Sequence, residues 1–392
     1  MQQVAVRKAV LAWLKAHEKD MLRLLEEVVN IDSGSTNKAG VDQIGAVFCA
    51  HLERAGIATQ VFALEKNGDC LLASVPGSDG PDAPHVLLLG HMDTVFPNGT
   101  AAQRPYKVEG GIAYGPGVAD MKAGLVMNTF VAQAFAEIGG NRAPINVFYT
   151  GDEEIASPSS RDLTLKMAQG AATVLNAEPG RPSGNVVVAR KGGIFIDFEV
   201  EGVAAHAGAN HDKGASAIEA LARKIIDLHA LTDKNTGVTT NVGTARGGVT
   251  VNMVAPHAMA QLDVRFPIEV DQDQLYRRIQ SIIEEQAPAR TRGRITNEGR
   301  FLPLFETDAS RKLLADYTQA AKEVGFTVAG ESTGGCADSG LTASVGAPTL
   351  CATGPVGGDA HTPREYCYID TLVPRAQAAA LTILNRDVNR TA

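Results

Sequence analysis

Apolar and polar positions change period several times along the chain, and those changes mark out its elements. From about Val4 to Asn30 apolar residues recur at helical spacing, with a break near His17-Glu-Lys-Asp, and a second helical pattern runs from about Gly40 to Ala55. Strand-like runs follow near Thr59–Leu64 and Cys70–Ser74, and Gly77-Ser-Asp-Gly-Pro-Asp-Ala-Pro84 is a loop by its breaker residues. Val86-Leu87-Leu88-Leu89 and Ile145-Asn-Val-Phe148-Tyr149 have the composition and length of buried strands. After His91 the pattern is irregular as far as Tyr114. Lys122 to Ile138 predicts a helix ended by Gly139-Gly140. A helix around Ser159–Gln169 and a short strand at Thr173–Leu175 bring the chain to Glu178. Strand and helix alternate throughout, which predicts a doubly wound α/β core.

Near Arg190-Lys-Gly-Gly193 the period shifts to the alternation of a half-exposed strand, Ile194-Phe-Ile-Asp-Phe-Glu-Val200. A helix (Ser216–Leu231), two strand-like runs (Gly237–Ala245 and Ala258–Phe266), a second helix (Asp271–Gln286) and a run around Arg292–Thr296 follow. The order β-α-β-β-α-β predicts a small α+β ferredoxin-like domain at 191–301, inserted into a larger domain made of 1–190 and 302–392. The larger domain then resumes with a helix at Ala309–Glu323, a strand at Pro348–Thr353, a loop holding His361, and a last helix at Leu372–Asn385.

Composition narrows the function. A length of 392 residues favours two domains over one core, and a hydrophobic fraction of 44% is that of a folded chain. A formal charge of -8 argues against nucleic acid or an anionic membrane as the main partner, since both reward clustered Lys and Arg. No apolar stretch approaches the roughly 20 residues that span a bilayer. Charges inside the apolar pattern of Met1–Lys15 do not fit a signal peptide. Five scattered cysteines (Cys49, Cys70, Cys336, Cys351, Cys367) suggest neither a disulfide framework nor a thiolate metal site. A cytoplasmic enzyme is the expectation.

The chemistry concentrates between Leu87 and Glu178. Gly90-His91-Met-Asp93 closes one apolar run, Gly115-Pro-Gly-Val-Ala-Asp120 forms a glycine turn, and Thr150-Gly-Asp-Glu153-Glu154 closes a second run. Open α/β sheets bind ligands beyond the carboxyl ends of their strands, where these residues fall. A lone His91 is more often satisfied by the backbone, Asp120 alone is a turn residue, and an acidic pair is usually solvated. Together with Glu178 and His361 they form a set of imidazoles and carboxylates suited to zinc or another divalent first-row metal. Adjacent carboxylates at a strand exit can also divide their roles, one binding metal and one acting as base.

Gly90-His91-Met-Asp93-Thr-Val, Tyr114-Gly-Pro-Gly-Val-Ala-Asp120-Met-Lys, Thr150-Gly-Asp-Glu153-Glu154, Glu178-Pro, His206-Ala-Gly and the late His361 resemble the M20 family of zinc metallopeptidases. Within that family the resemblance is to glutamate carboxypeptidases of the carboxypeptidase G type, and it runs in order over nearly the whole chain. It implies a zinc-exopeptidase catalytic domain, with the inserted domain serving for dimerisation, and two zinc ions per subunit. Asp120 would bridge both ions, His91 and Glu178 completing one and Glu154 and His361 the other. Asp93 would support His91, and Glu153 would be the general base for a bridging water. The peptide after Asp120 is expected to be cis. His206 would reach the active site of the partner subunit as an oxyanion donor, with Asn252 in a similar role. Arg265 and Arg300 would bind the carboxylates of a C-terminal acidic residue, and Gly335 in Thr333-Gly-Gly-Cys336-Ala-Asp338 would line the pocket.

The expected protein is a homodimeric hydrolase. It would cleave the amide bond to a C-terminal amino acid, glutamate first, in a small N-acyl or peptidyl substrate. The alternatives are a broader N-acyl-amino-acid deacylase or dipeptidase and, outside catalysis, an inactive binding homologue.

Overall fold

The computed structural model describes residues 2–389; residue 1 and residues 390–392, at the ends of the expected larger domain, lie outside the described residues. Two compact units make up the chain. One spans Met1–Ala189, Phe305–Thr333 and Ala337–Ala392, the other Arg190–Leu304 and Gly334–Cys336.

The first unit holds, in chain order, β1 (Ala58–Phe62), β2 (Cys70–Val75), β3 (Val86–His91), β4 (Lys107–Glu109), β5 (Ile112–Tyr114), β6 (Ile145–Thr150), β7 (Thr173–Asn176) and β8 (Val186–Arg190). The second unit contributes β9 (Gly192–Glu201), β10 (Thr239–Gly247), β11 (His257–Phe266) and β12 (Arg292–Phe301). Back in the first unit come β13 (Gly330–Thr333), β14 (Thr349–Leu350), β15 (Gly357–Gly358) and β16 (Tyr366–Tyr368).

The main sheet of the first unit has the order β1-β2-β6-β3-β7-β14. Its centre is parallel, and β2 joins β6 in antiparallel register. Successive side chains of β3 enter different cores: Leu88 packs into the larger apolar cluster, Leu87 and Leu89 into the smaller one on the other face. That two-sided burial explains the run of leucines without alternation. Helix Ala123–Ile138 is buried from Ala123 to Phe135, which explains its lack of a polar stripe. Gly124 lets that helix lie on the chain just before Glu178, because a Cβ there would stand 2.0 Å from the Ala177 carbonyl oxygen. The break at His17 separates helix Gln2–Ala16 from Glu18–Val29, as the sequence pattern predicts.

The irregular span after His91 contains a short helix, Thr100–Gln103, and the β4–β5 hairpin, which joins β16 and β15 in a four-stranded sheet. Its strands are three residues long and β4 is wholly exposed, so they carry no periodic signal. Strand β8, also unanticipated, pairs with β13. The strand expected over Pro348–Thr353 shrinks to Thr349–Leu350, and Cys351 turns aside to bridge Val187.

In the second unit the sheet order is β10-β11-β9-β12, antiparallel throughout, with the ferredoxin-like β-α-β-β-α-β sequence of elements. Helices Ala217–His229 and Gln272–Glu284 cover one face through Ala220, Leu221, Leu275, Ile279 and Ile283, which pack on Ile194, Ile196 and Phe198. Ser216 and Asp271 cap them by accepting backbone N–H groups, which fixes where each helix starts. The other face of the sheet carries Phe195, Asp197 and Glu199.

Candidate metal and active site

The carboxyl ends of the parallel strands deliver the chemistry. His91 is the last residue of β3, Glu153 and Glu154 open a 3-10 turn after β6, Glu178 follows β7, and His361 lies in the loop between β15 and β16. Asp120 comes from the turn after β5. The His91 Nε2 atom is 3.3 Å from Asp120 Oδ1, 3.7 Å from Glu178 Oε1 and 3.9 Å from Glu153 Oε2. His361 Nε2 is 3.3 Å from Asp120 Oδ2 and 3.2 Å from Glu154 Oε2. Each oxygen of Asp120 therefore faces a different histidine. Ligand atoms of His91, Asp120 and Glu154 lie within 4.8 Å of one another. The Asp120–Met121 peptide is cis, as the family resemblance implies.

These residues fit a divalent cation. Among the described residues His91 Nε2, Asp120 Oδ1 and Glu154 Oε1 are buried without a hydrogen-bond partner, a costly arrangement that an ion would relieve. Tetrahedral bonds of about 2.0–2.1 Å put neighbouring ligand atoms about 3.3 Å apart, close to the Asp120–His91, Asp120–His361 and Glu154–His361 separations. Imidazole with carboxylate and no thiolate is a donor set for zinc and its first-row neighbours.

The electrostatics agree. Burial works against a charged His91, yet Glu153, Asp120, Asp93 and Glu178 raise it well above the usual histidine range. His361 is raised to about 10 by hydrogen bonds to Asp120 and Glu154. Burial acts to raise Asp120, but His361 and His91 overcome it and hold that carboxyl low. Burial pushes Glu153 well up; His91 opposes this, and Glu178, Asp338 and Glu154 add to it. Glu154 is also raised, by burial and then by Asp120. So many carboxylates beside two imidazoles call for additional positive charge.

The surroundings hold the two glutamates in different places. Asp93, fully buried, accepts the backbone N–H of Glu153 on Oδ1 and that of Glu154 on Oδ2, each at 3.1 Å, and the Ser35 hydroxyl at 2.6 Å. His91 Nδ1 stands 3.0 Å from the Asp93 carbonyl oxygen and 3.4 Å from its carboxylate. Asp93 thus orients the glutamate turn at least as firmly as it orients His91. Asp152 fixes the far side of that turn by accepting the N–H groups of Ser159 and Ser160 and the Ser160 hydroxyl. Ser157 donates to Asp338 at 2.5 Å, and burial pushes the Asp338 carboxyl up to about 6.

Sequence reading missed Glu365. It is buried and accepts the N–H groups of Gly117, Ala119 and Asp120 at 3.0, 2.8 and 2.9 Å. Its one sequence signal is its place four residues after His361, in a stretch without period. Lys122 closes the Asp120-Met-Lys motif without a role assigned from sequence: it is buried, donates to the Ile31 carbonyl at 2.9 Å, and burial lowers it to about 7.

In the second unit His206 and Asn252 lie on neighbouring segments: His206 bridges Met253, and Ala207 N–H donates to the Asn252 carbonyl at 2.9 Å. Both side chains are exposed. His206 Nδ1 accepts the N–H groups of Gly208 and Ala209 at 3.1 Å, which leaves the proton of the neutral ring on Nε2, pointing away. Asn252 Oδ1 accepts from Thr250, so its amide N–H groups face outward as donors.

Arg265 lies on the uncovered face of the sheet, stacked on Phe195 at 4.8 Å and clasped by Asp263 through Nε and Nη2, with Nη1 2.8 Å from Cys336 Sγ. Arg300 lies on the other face. It pairs in register with Ile194 where Arg265 pairs with Gly193, stacks on Tyr276 at 3.7 Å and donates to Glu298. Adjacent residues of a strand point to opposite sides. The expectation that both arginines grip one acidic residue therefore meets a sheet that separates them. The Gly335 carbonyl accepts from Arg190 at 3.3 Å, and burial pushes the Cys336 thiol up, the state of a wall residue and not of a nucleophile.

Residues 87–385 match the family described as Peptidase family M20/M25/M40. Carboxypeptidase G2 of Pseudomonas sp. (strain RS-16) is 30% identical over 373 residues, covering 93% of this chain and 89% of that protein. A succinyl-diaminopimelate desuccinylase of Rhodopseudomonas palustris (strain BisB18) is 26% identical over 344 residues, covering 79% and 86%. Among solved structures, the M20 family metallo-carboxypeptidase Sso-CP2 from Sulfolobus solfataricus superposes with a TM-score of 0.79 at 17% identity, over 94% of this chain and 99% of its own. Sequence match, shared fold and an imidazole–carboxylate cluster at the carboxyl ends of the strands lead to one conclusion: the chain belongs to peptidase family M20/M25/M40 and is a hydrolase acting on peptide or amide bonds.

Proposed function

We propose that the protein hydrolyses the amide bond to a C-terminal amino acid, glutamate by preference, in small N-acyl or peptidyl substrates, using two zinc ions per subunit. His91, Asp120 and Glu178 would hold one ion; Asp120, Glu154 and His361 would hold the other. The observation that carries this reading is Asp120, whose two oxygens stand 3.3 Å from two different imidazoles. When bound, such ions lower the pKa of a water and polarise the scissile carbonyl.

The protein's own residues account for the remaining steps. Glu153 takes a proton from the attacking water and returns it to the leaving nitrogen. Burial raises the Glu153 carboxyl well above its usual range against the pull of His91, with Glu178, Asp338 and Glu154 adding to the rise, which suits it to hold the proton for the return step. Asp93 holds the Glu153 amide so that the carboxylate stays aimed while Glu154 serves as ligand. His206 and Asn252, with N–H groups facing solvent, donate to the developing oxyanion in the site of a second copy. An exposed run beside them, including Val249 and the fully exposed Val251, and the exposed Ile218 and Ile226 on helix Ala217–His229 support a dimer contact on this unit. Arg265 binds the substrate carboxylate through its remaining N–H edge; Arg300 keeps to its Glu298 and Tyr276 contacts.

One observation favours a second reading. Asp263 already neutralises Arg265, which weakens its pull on a further carboxylate and suits a broader N-acyl-amino-acid deacylase or dipeptidase. Turnover of N-acylated Glu, Asp, Leu, Phe and Ala separates the two: the first reading expects Glu and Asp to lead, and a lead by neutral leaving residues discards it. Absence of turnover on the whole panel by zinc-loaded protein would point instead to an inactive binding homologue.

A further inference from the structure

We propose that Glu365 is a positioning residue that sets the spacing between the Asp120 carboxylate and the His361 imidazole, and so governs the affinity of the ion position these two share with Glu154. This rests on the two-ion reading above. Asp120 and His361 come from distant parts of the chain, and their atoms must meet within a few tenths of an ångström to share an ion. Pairing of β5 with β16, Tyr114 opposite Tyr366, lays the two segments side by side. Glu365, the residue before β16, ties the two segments together beside both ligand side chains, through the Asp120 N–H and the Thr362 carbonyl.

The grip is specific. One Glu365 oxygen, Oε1, accepts both Ala119 N–H and Asp120 N–H, and the other accepts Gly117 N–H. A carboxylate accepting three amides makes charge-assisted bonds, stronger and shorter than neutral ones. At its other end the Glu365 N–H donates to the Thr362 carbonyl at 3.2 Å, one residue from His361. The segment needs such a brace: Asp359 and His361 have φ of 52° and 63°, in the left-handed region that residues other than glycine seldom occupy. On the opposite segment Gly117, with φ of 72°, turns its N–H onto the same carboxylate. A plain fold anchor would need no hold on the amide of Asp120 itself.

The test is zinc titration calorimetry on chelator-stripped protein, with thermal unfolding of the same stripped samples. Glu365→Gln keeps the side-chain shape and exchanges one acceptor for a donor facing amide N–H groups. Glu365→Asp keeps the charge and shortens the reach, and it serves equally if the amide variant does not fold. His361→Ala identifies, by the binding phase it removes, which phase belongs to the His361–Glu154 position. The proposal expects both Glu365 variants to weaken that phase by about tenfold or more, as loss of a residue supporting a ligand does, while the other phase changes less than about threefold. The stripped variants should unfold within a few degrees of stripped wild type. Equal weakening of both phases with a much lower unfolding midpoint makes Glu365 a general fold anchor and overturns the proposal. Unchanged isotherms in a zinc-binding wild type overturn it while leaving the two-ion reading intact. A wild type that takes up no zinc removes both.

Discussion

The two units hold their candidate residues in contrasting ways. In the first, Asp93, Glu153, Glu178 and His91 are buried and tied by backbone amides, a hydroxyl or another ligand side chain. In the second, His206 and Asn252 are exposed on a short pair of segments, and their donors face solvent. The metal-binding candidates of the first unit, with His361 exposed at their edge, all come from one chain; the exposed set of the second unit has the form of one half of a contact. A chain built in this way should bind metal as a monomer and turn over substrate as a dimer.

That contrast can be broken at several points. The largest effect is expected from Glu153→Gln, which should lower kcat by about 10²–10⁴-fold, the usual contribution of a general base, while two zinc ions remain by elemental analysis. Glu154→Gln should instead lose zinc. Equal metal loss in both variants would erase the division of roles between the neighbours. Next comes His206→Ala, expected to lower kcat by about 10²–10³-fold as removal of an oxyanion donor does, with metal content unchanged. Mixing it with Glu153→Gln should restore activity if each copy supplies the other's donor, and mixtures that stay inactive would place the donor elsewhere.

Smaller effects separate the arginines. Arg265→Ala should raise KM for an acyl-glutamate by about tenfold or more, the worth of a charged hydrogen bond, and leave acyl-leucine nearly unchanged. Arg300→Ala should change either KM by less than about threefold, because its partners lie on the helix-covered face. The smallest effect is in the response to pH. Asp120 and Glu154 raise His361 to about 10, so without an ion that ring keeps its proton through neutral pH. Zinc must expel it. Affinity should therefore climb as pH rises from about 6 toward 10, by up to about tenfold per unit for each proton released. Calorimetry in buffers of different ionisation enthalpy counts those protons, and affinity that falls over this range would contradict the assignment.

The legible parts of the sequence were those with a period or a motif. The leucine run of β3, the alternation of β9 and the capped helices of the second unit follow directly from burial, so the doubly wound core and the ferredoxin-like unit could be read in advance. The six principal polar residues between β3 and β16 were visible because each follows an apolar run or a glycine turn. Glu365 and Ser35 were not visible, because a residue that holds backbone amides or a buried carboxylate from a loop has no spacing to betray it, and Lys122 was visible only as part of a motif, its bond to the Ile31 carbonyl being set by tertiary packing. The relation of Arg265 to Arg300 was hidden for another reason. It depends on the register of β9 with two strands and on a bulge at Ile295–Asn297, and register is set by packing that composition does not report.

The most direct test of the central claim is zinc stripping and stepwise return, with elemental analysis and turnover of an N-acyl-glutamate measured on the same samples. The account predicts that activity vanishes on exhaustive chelation and returns in step with occupancy up to two ions per chain. Full turnover by metal-free protein would contradict it.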